Sequence, residues 1–308
     1  MPADPVLTLR DLESWSRSGT SLAVLGHPIK HSISPAMHNA ALAELAGRDN
    51  RFADWQYFRF EIHPDDLPQA LERLHTKQFR GINLTVPHKI IAFDRVAEVD
   101  PAAQPVGAVN TLLWTPAGWR GFNTDGYGLA TAVRESLQLE LADTDIVLLG
   151  AGGAARGAAV ECLQRGCKSL WIANRTRENL DALLRVLKPV AGQIPVQGFA
   201  PPEVPSELLS GALVINATSA GLRDTDPLPI ALDALPQPRA VFDMIYNPPE
   251  TPLLRYARQL QVPTANGLSM LVHQGAKALE VWSGVNANLT AGTMKAAVRA
   301  AQAMRPAP

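Results

Sequence analysis

Cysteine is scarce in this chain of 308 residues: there are only Cys162 and Cys167. Two thiols so close together, in what reads as one helix, cannot form a disulfide framework. A metal site would want more ligands, so they read as structural thiols rather than a redox or metal pair. Neither sign of charge is in excess. With 28 Lys and Arg against 29 Asp and Glu, the formal net charge is -1. A near-neutral surface lacks the positive field that draws nucleic acid or an anionic membrane, although local basic pockets are still allowed. No apolar run approaches the ~18 residues of a membrane span. Residues 1–5 show no basic region followed by an apolar stretch, as a secretory signal would. The cytoplasm is therefore the expected location. No internal repeat or low-complexity tract is visible.

What is present is ordinary globular composition, 46% hydrophobic and 19% charged, in a length that suits about two domains. In the first part, a short amphipathic helix is expected over 8–16, followed by strands at 21–25, 55–62 and 81–85. Helices are expected from Ser34 to about residue 45, from Pro64 onward and over 90–97, with a hairpin from 109–114 and 119–121 around Pro116-Ala117-Gly118. From Asp125 the rhythm is cleaner. Apolar strands at 145–149, 169–173, 213–216 and 240–243 alternate with helices at 126–137, up to 165, and 177–187. This pattern indicates an α/β fold with a parallel, doubly wound sheet. The proline-rich stretches 195–205 and 227–238 read as surface loops. Helices close the chain at 270–282 and 290–303.

Gly150-Ala151-Gly152-Gly153-Ala154-Ala155 follows a strand and opens a helix. In that context the first Gly permits the tight turn and the second lets backbone approach a pyrophosphate. A small third residue, Ala155, permits close helix packing, and the phosphates lie on the helix N-terminus. This is a Rossmann-type dinucleotide fingerprint. Enzymes that use NAD place an acid about 20 residues on, to hold the ribose 2′-hydroxyl. Here the end of the next strand reads Asn174-Arg175-Thr176-Arg177. A guanidinium matches the 2′-phosphate of NADP and can stack on adenine. Solvated helix-start residues are the plainer reading, more plausible for one arginine than for both, and NADP is the expected cofactor.

The first part gathers polar residues at strand ends and tight turns. They include Ser32 and Ser34 in His31-Ser32-Ile33-Ser34-Pro35, and Asn83 and Thr85 on one face of a strand that stops at Pro87. Lys89, Asn110-Thr111 and Asn123-Thr124-Asp125-Gly126 follow. Ser34 reads equally as a helix N-cap, worth about 1 kcal/mol. As a set, the hydroxyls, amides, one Lys and one Asp suit a ligand with several hydroxyls and a carboxylate. His27 and His31 are four apart, but Pro28 between them argues against a helical metal pair, and no metal is expected.

These motifs, with Gly26-His27-Pro28-Ile29, Asn83-Leu84-Thr85-Val86-Pro87-His88-Lys89, Gly107-Ala108-Val109-Asn110-Thr111, Ile215-Asn216-Ala217-Thr218-Ser219, Tyr246-Asn247-Pro248, Asn266-Gly267-Leu268 and Met270-Leu271-Val272-His273-Gln274, run in order from residue 21 to the final helices. Together they resemble the shikimate/quinate dehydrogenase family. The resemblance implies a substrate domain at 1–124, an NADP-binding Rossmann domain at 125–266, and C-terminal helices at 267–308 that return to the substrate domain. It implies NADPH-dependent reduction of 3-dehydroshikimate to shikimate on the route to aromatic amino acids. Alternatives are a quinate/shikimate enzyme of broader substrate and cofactor range, or a non-catalytic sensor on the same fold. It implies a small-molecule substrate as the partner, in a monomer or homodimer.

By resemblance, Lys89 and Asp125 form the catalytic pair, and Ser32 and Ser34 take the carboxylate. Asn83, Thr85, Asn110, Asp125 and Gln274 take ring hydroxyls, with Tyr246 near the substrate. The cofactor is implied to lie against Gly150, Gly152, Gly153, Ala154, Ala155, Asn174, Arg175, Thr176, Arg177, Thr218 and Gly267. The family commonly carries a further arginine where this chain has Asn179, and Arg177 is the available substitute. Residues 1–20 match none of these motifs.

Overall fold

The computed structural model describes residues 5–303. The chain divides into two compact units. One runs to Thr124 and resumes at Gln274; the other is Asp125–His273. The segment from Gly267 to His273 groups with the second unit.

The first unit opens with α1 (Leu9–Glu13) and continues through β1 (Ser21–Gly26), α2 (Ser34–Ala46), β2 (Gln56–Glu61), α3 (Leu67–Thr76) and β3 (Gly81–Leu84). A one-turn helix α4 (His88–Ile91), the short β4 (Glu98–Val99), and the hairpin β5 (Thr111–Thr115) and β6 (Gly118–Phe122) complete its first passage. The strands form one sheet in the order β2-β1-β3-β5-β6-β4. β1 is parallel to β2 and β3, while β3/β5 and β5/β6 are antiparallel. The expected helix over 90–97 is cut short. After Ile91 the chain makes a 3-10 turn at Phe93–Arg95 and then pairs Glu98 and Val99 with β6.

Residues 7–15, outside every recognised motif, seal the open edge of this sheet. Leu7 exchanges backbone hydrogen bonds with Arg59 and Glu61 of β2, at 2.9 and 2.8 Å. An unpaired strand edge invites association, and covering it is a common remedy. Trp15 then packs edge-on against Phe58 at 4.9 Å and against Phe79 at 5.1 Å. Truncation to Trp15→Ala is expected to cost about 2 kcal/mol. Urea unfolding should show it as a lower midpoint with an unchanged slope; an unchanged midpoint would make the segment decorative.

The second unit holds α5 (Asp125–Leu137), β7 (Asp145–Leu149), α6 (Gly153–Gln164), β8 (Ser169–Ala173), α7 (Arg177–Ala191), β9 (Val196–Phe199), β10 (Leu213–Asn216) and β11 (Ala240–Asp243). α8 (Pro252–Gln259), β12 (Thr264–Asn266) and α9 (Leu268–Ser283) follow, and α10 (Asn288–Ala303) packs on α2 in the first unit. All six strands are parallel, in the order β12-β11-β10-β7-β8-β9. The central strands are buried apart from the first residue of β7, which is why they read as apolar runs with polar residues only at their ends. β9 lies in a stretch that reads as a loop. As an edge strand it tolerates the flanking Pro195 and a glycine that a central strand would not. Cys162 and Cys167 are buried free thiols, and burial pushes both pKa values up, that of Cys167 to about 11. Among the described residues no helix is long and apolar enough to cross a membrane.

Candidate functional site

In the second sheet the connections reverse direction between β7 and β10, the switch point where doubly wound sheets bind ligands at their carboxyl ends. A cavity of about 390 Å³ opens there, lined by Gly150 and Gly152 after β7, Asn174 and Arg175 after β8, and Thr218 after β10. Gly150 has φ +109°, a backbone setting that side chains disfavour, so glycine is what lets the chain turn off β7. α6 then starts at Gly153 with no side chain capping its first amides. Those amides are the donors that an anion at a helix N-terminus would use. Gly153 and Ala154 are exposed, while Ala155 is buried against the sheet, as close helix packing requires.

The two arginines part company. Arg175 stands on the cavity wall. Arg177 enters α7, and its Nε pairs with Asp181 one turn on, at 3.0 Å. Thr176 precedes α7, where its carbonyl accepts from Asn174 Nδ2 at 2.8 Å. At Gly267 the backbone runs close to its neighbour: a Cβ there would lie 2.1 Å from the Met244 carbonyl oxygen.

In the first unit Ser32, Ser34, Asn83, Thr85 and Asn110 gather at one end of the sheet, where β1, β3 and β6 finish and β5 begins. The loop after β1 carries Ser32 and Ser34. Ser34 is not the cap of α2; it is the first helical residue, and Ser32 Oγ accepts from its amide at 3.3 Å. Arg59, buried on β2, donates through Nη1 to the carbonyls of Lys30 and Ser32 at 2.7 and 3.1 Å. A buried guanidinium thus fixes the serine loop.

Asn83 and Asn110 are buried in a continuous network. Tyr57 Oη donates to Asn83 Oδ1 at 2.8 Å, and Asn83 Nδ2 donates to the Asn110 carbonyl and to Thr111 Oγ1. Asn110 Oδ1 accepts from the Thr124 amide at 2.8 Å, while its Nδ2 donates to Thr124 Oγ1 and to Gln274 Oε1. The amides of Asn83, Asn110 and Gln274 are therefore held in register by protein partners before any ligand arrives.

Thr85 lies just past β3 and is half-buried. Lys89, also half-buried, sits on α4, and its carbonyl accepts from the Val109 amide at 2.9 Å, next to Asn110. The preceding residue anchors that turn: buried His88 donates through Nε2 to the Ile62 carbonyl at 2.9 Å. Burial, reinforced by His27 and His63, pulls its pKa below the usual imidazole value, which keeps the ring neutral. Asp125, at the first position of α5, and Tyr246, after β11, belong to the second unit. Among the described residues no group of three metal-ligating side chains occurs.

Tyr57 and Arg59 are supports that the sequence did not single out. Alternation along β2 makes Arg59 look solvent-facing, and its partners are carbonyls of a distant loop.

A doubly wound sheet with an open cavity at its switch point, joined to a unit carrying a preset amide and hydroxyl cluster beside a lysine, defines a dinucleotide-dependent oxidoreductase. Three family models match in order: the shikimate dehydrogenase substrate binding domain over residues 24–112, shikimate / quinate 5-dehydrogenase over 131–221, and the shikimate 5'-dehydrogenase C-terminal domain over 267–299. A shikimate dehydrogenase (NADP(+)) of Methanopyrus kandleri is 36% identical over 86% of this chain and 91% of its own length. One from Moorella thermoacetica is 40% identical over 85% and 88%. The crystal structure of shikimate 5-dehydrogenase from Thermus thermophilus, in complex with NADP(H) and shikimate, is 33% identical. It superposes with a TM-score of 0.74 over 90% of this chain and 99% of that one. The chain belongs to the shikimate dehydrogenase family.

Proposed function

We propose that the chain interconverts 3-dehydroshikimate and shikimate, with NADPH and NADP+ held in the cavity at the β7/β10 switch point. One observation carries this reading: Asn83 donates to the Asn110 carbonyl and Asn110 to Gln274, at the end of the sheet that also bears Ser32, Thr85 and Lys89. That is a built polyol site rather than scattered surface polarity. Ser32 and Ser34 supply hydroxyls for the carboxylate. Thr85, the three amides and Asp125 supply partners for ring hydroxyls, and Tyr246 lies near the substrate.

The residues around the switch-point cavity fit a dinucleotide phosphate. Gly152 leaves open space where a side chain would stand, the first amides of α6 are uncapped, and Arg175 offers a planar fork for a 2′-phosphate. When bound, the nicotinamide supplies or accepts the hydride. The Lys89 ammonium stabilises the alkoxide oxygen that develops on the ring and donates the proton it needs. Asp125 orients that ammonium and accepts from a neighbouring hydroxyl.

The deciding experiment is initial-rate oxidation of shikimate and of quinate, each with NADP+ and with NAD+. The expected result is a large preference for shikimate with NADP+. Comparable rates with quinate or NAD+ would place the chain in the broader class, and no turnover in any combination would remove the enzymatic reading. Because Arg175 stands on the cavity wall, Arg175→Ala should raise KM for NADP+ about 10- to 30-fold. That is the loss of one charged hydrogen bond, and KM for NAD+ should stay nearly unchanged. Equal losses for both cofactors would mean that Arg175 contacts adenine rather than the 2′-phosphate.

A further inference from the structure

We propose that Asp243, at the carboxyl end of β11, is a positioning residue that sets the cofactor-facing loop after β10 and the Tyr246 loop at once. Its side chain is fully buried. Oδ1 accepts from Asn216 Nδ2 and from the Ile245 amide, both at 3.0 Å, and Oδ2 accepts from Thr251 Oγ1 at 2.6 Å. Each donor belongs to a different segment. Asn216 ends β10, Ile245 adjoins Tyr246, and Thr251 caps α8 through the Leu254 amide.

The arm through Asn216 reaches the cavity. With its Nδ2 committed to Asp243, the Asn216 amide must turn its oxygen the other way. That oxygen accepts from the Thr218 amide at 3.1 Å and from Thr218 Oγ1 at 2.7 Å. Thr218 Oγ1 in turn accepts from the Ala220 amide, which closes the turn that forms this wall. The same Asn216 Nδ2 also donates to the Ala220 carbonyl at 3.3 Å, so the carboxylate, at 3.0 Å, is the shorter and charged one of the two acceptors that turn the Asn216 amide oxygen toward Thr218. The second arm works on backbone: Ile245 is held from Asp243 through its amide, and its carbonyl accepts from Gly267 at 3.0 Å.

Burying a carboxylate is expensive, and here burial pushes its pKa up even against three donors. A site that needed only a strand end would use an apolar residue at this position, as β7 does with Leu149. The cost is offset by fixing two loops from one point, and in this assignment one of them is the wall behind the cofactor.

The inference rests on the cavity being the cofactor site. Its test compares Asp243→Ala, Asp243→Asn and Asn216→Ala with the unaltered protein. NADP+ and shikimate affinities are read by calorimetry, and folding by thermal unfolding and circular dichroism. Asp243→Ala should weaken NADP+ at least tenfold, through the Thr218 turn, and shikimate by a smaller factor, through the Tyr246 loop. Asp243→Asn should recover most of that loss, because its oxygen can still accept from Asn216 and Ile245 while the Thr251 hydroxyl turns to accept from the new amide. Asn216→Ala, which removes the relay to Thr218 but leaves Asp243 its bonds to Ile245 and Thr251, should weaken NADP+ as well, and it serves as the test should Asp243→Ala fail to fold.

Folded variants that lose thermal stability but bind NADP+ like the unaltered protein would overturn the proposal and reduce Asp243 to a structural residue. Equal losses for NADP+ and shikimate would overturn it too. Failure of the underlying reading looks different, since the unaltered protein would then not bind NADP+ at all.

Discussion

Lys89→Ala is expected to lower kcat for shikimate oxidation by about a thousandfold while KM for shikimate moves only a few-fold. The size follows from the role. A positioned proton donor and acceptor contributes roughly 10²- to 10⁴-fold, and its loss is felt only where charge develops on the reacting oxygen. The ground state keeps its other contacts: the serine loop braced by Arg59, and the amide network from Asn83 to Gln274. Lys89→Arg separates two components of the effect. Arginine keeps the positive charge but does not give up its proton in proteins, and its planar head differs from an ammonium. It should therefore restore little of kcat. A variant with near-normal kcat and a greatly raised KM would make Lys89 a substrate-binding residue and require another proton donor. A large rescue by Lys89→Arg would leave charge as its whole contribution.

The fold could be read where one physical signal dominated. The strands of the second sheet are buried on both faces and stand out as apolar runs, and the turn after β7 needs glycine for its backbone angle. What escaped were elements whose pattern is weak because they sit at edges. β9 and the three-residue β12 are the outermost strands of their sheet, with too few buried positions to show a period. α8 is announced only by its Thr251 cap. The expected helix over 90–97 failed because Val99 and its neighbour pair with β6, a long-range contact that overrides local helix preference.

The site divides in the same way. Residues at strand ends were visible as polar positions where apolar ones were due. The groups that hold them were not, since Tyr57 and Arg59 look like the ordinary polar positions of an alternating strand. The partner that Arg177 has on its own helix was written in the sequence, an acid four residues along.

One buried group outside the chemistry should govern how the protein meets acid. His38 on α2 is fully buried and stacked face to face on Tyr57, with ring centroids 4.2 Å apart, and neither ring nitrogen has a hydrogen-bond partner. Burial lowers its pKa from 6.5 to about 3. The sign follows directly. Below pH 6.5 the unfolded chain takes up a proton at this position and the folded one does not, so stability falls as pH drops, until the folded ring itself protonates near pH 3. The linkage amounts to about 2 kcal/mol at pH 5 and about 3 kcal/mol at pH 4. His38→Phe and His38→Leu remove the titrating group. Both change the packing beside Gly275, where space is tight, but a packing cost is the same at every pH. The readout is therefore the slope of unfolding free energy against pH between 6.5 and 4, which should be shallower in both variants by that amount. What remains includes the smaller contribution of His88, displaced in the same direction. Matching slopes would mean that the folded protein protonates His38 readily, and that the ring stacked on Tyr57 is reached by water.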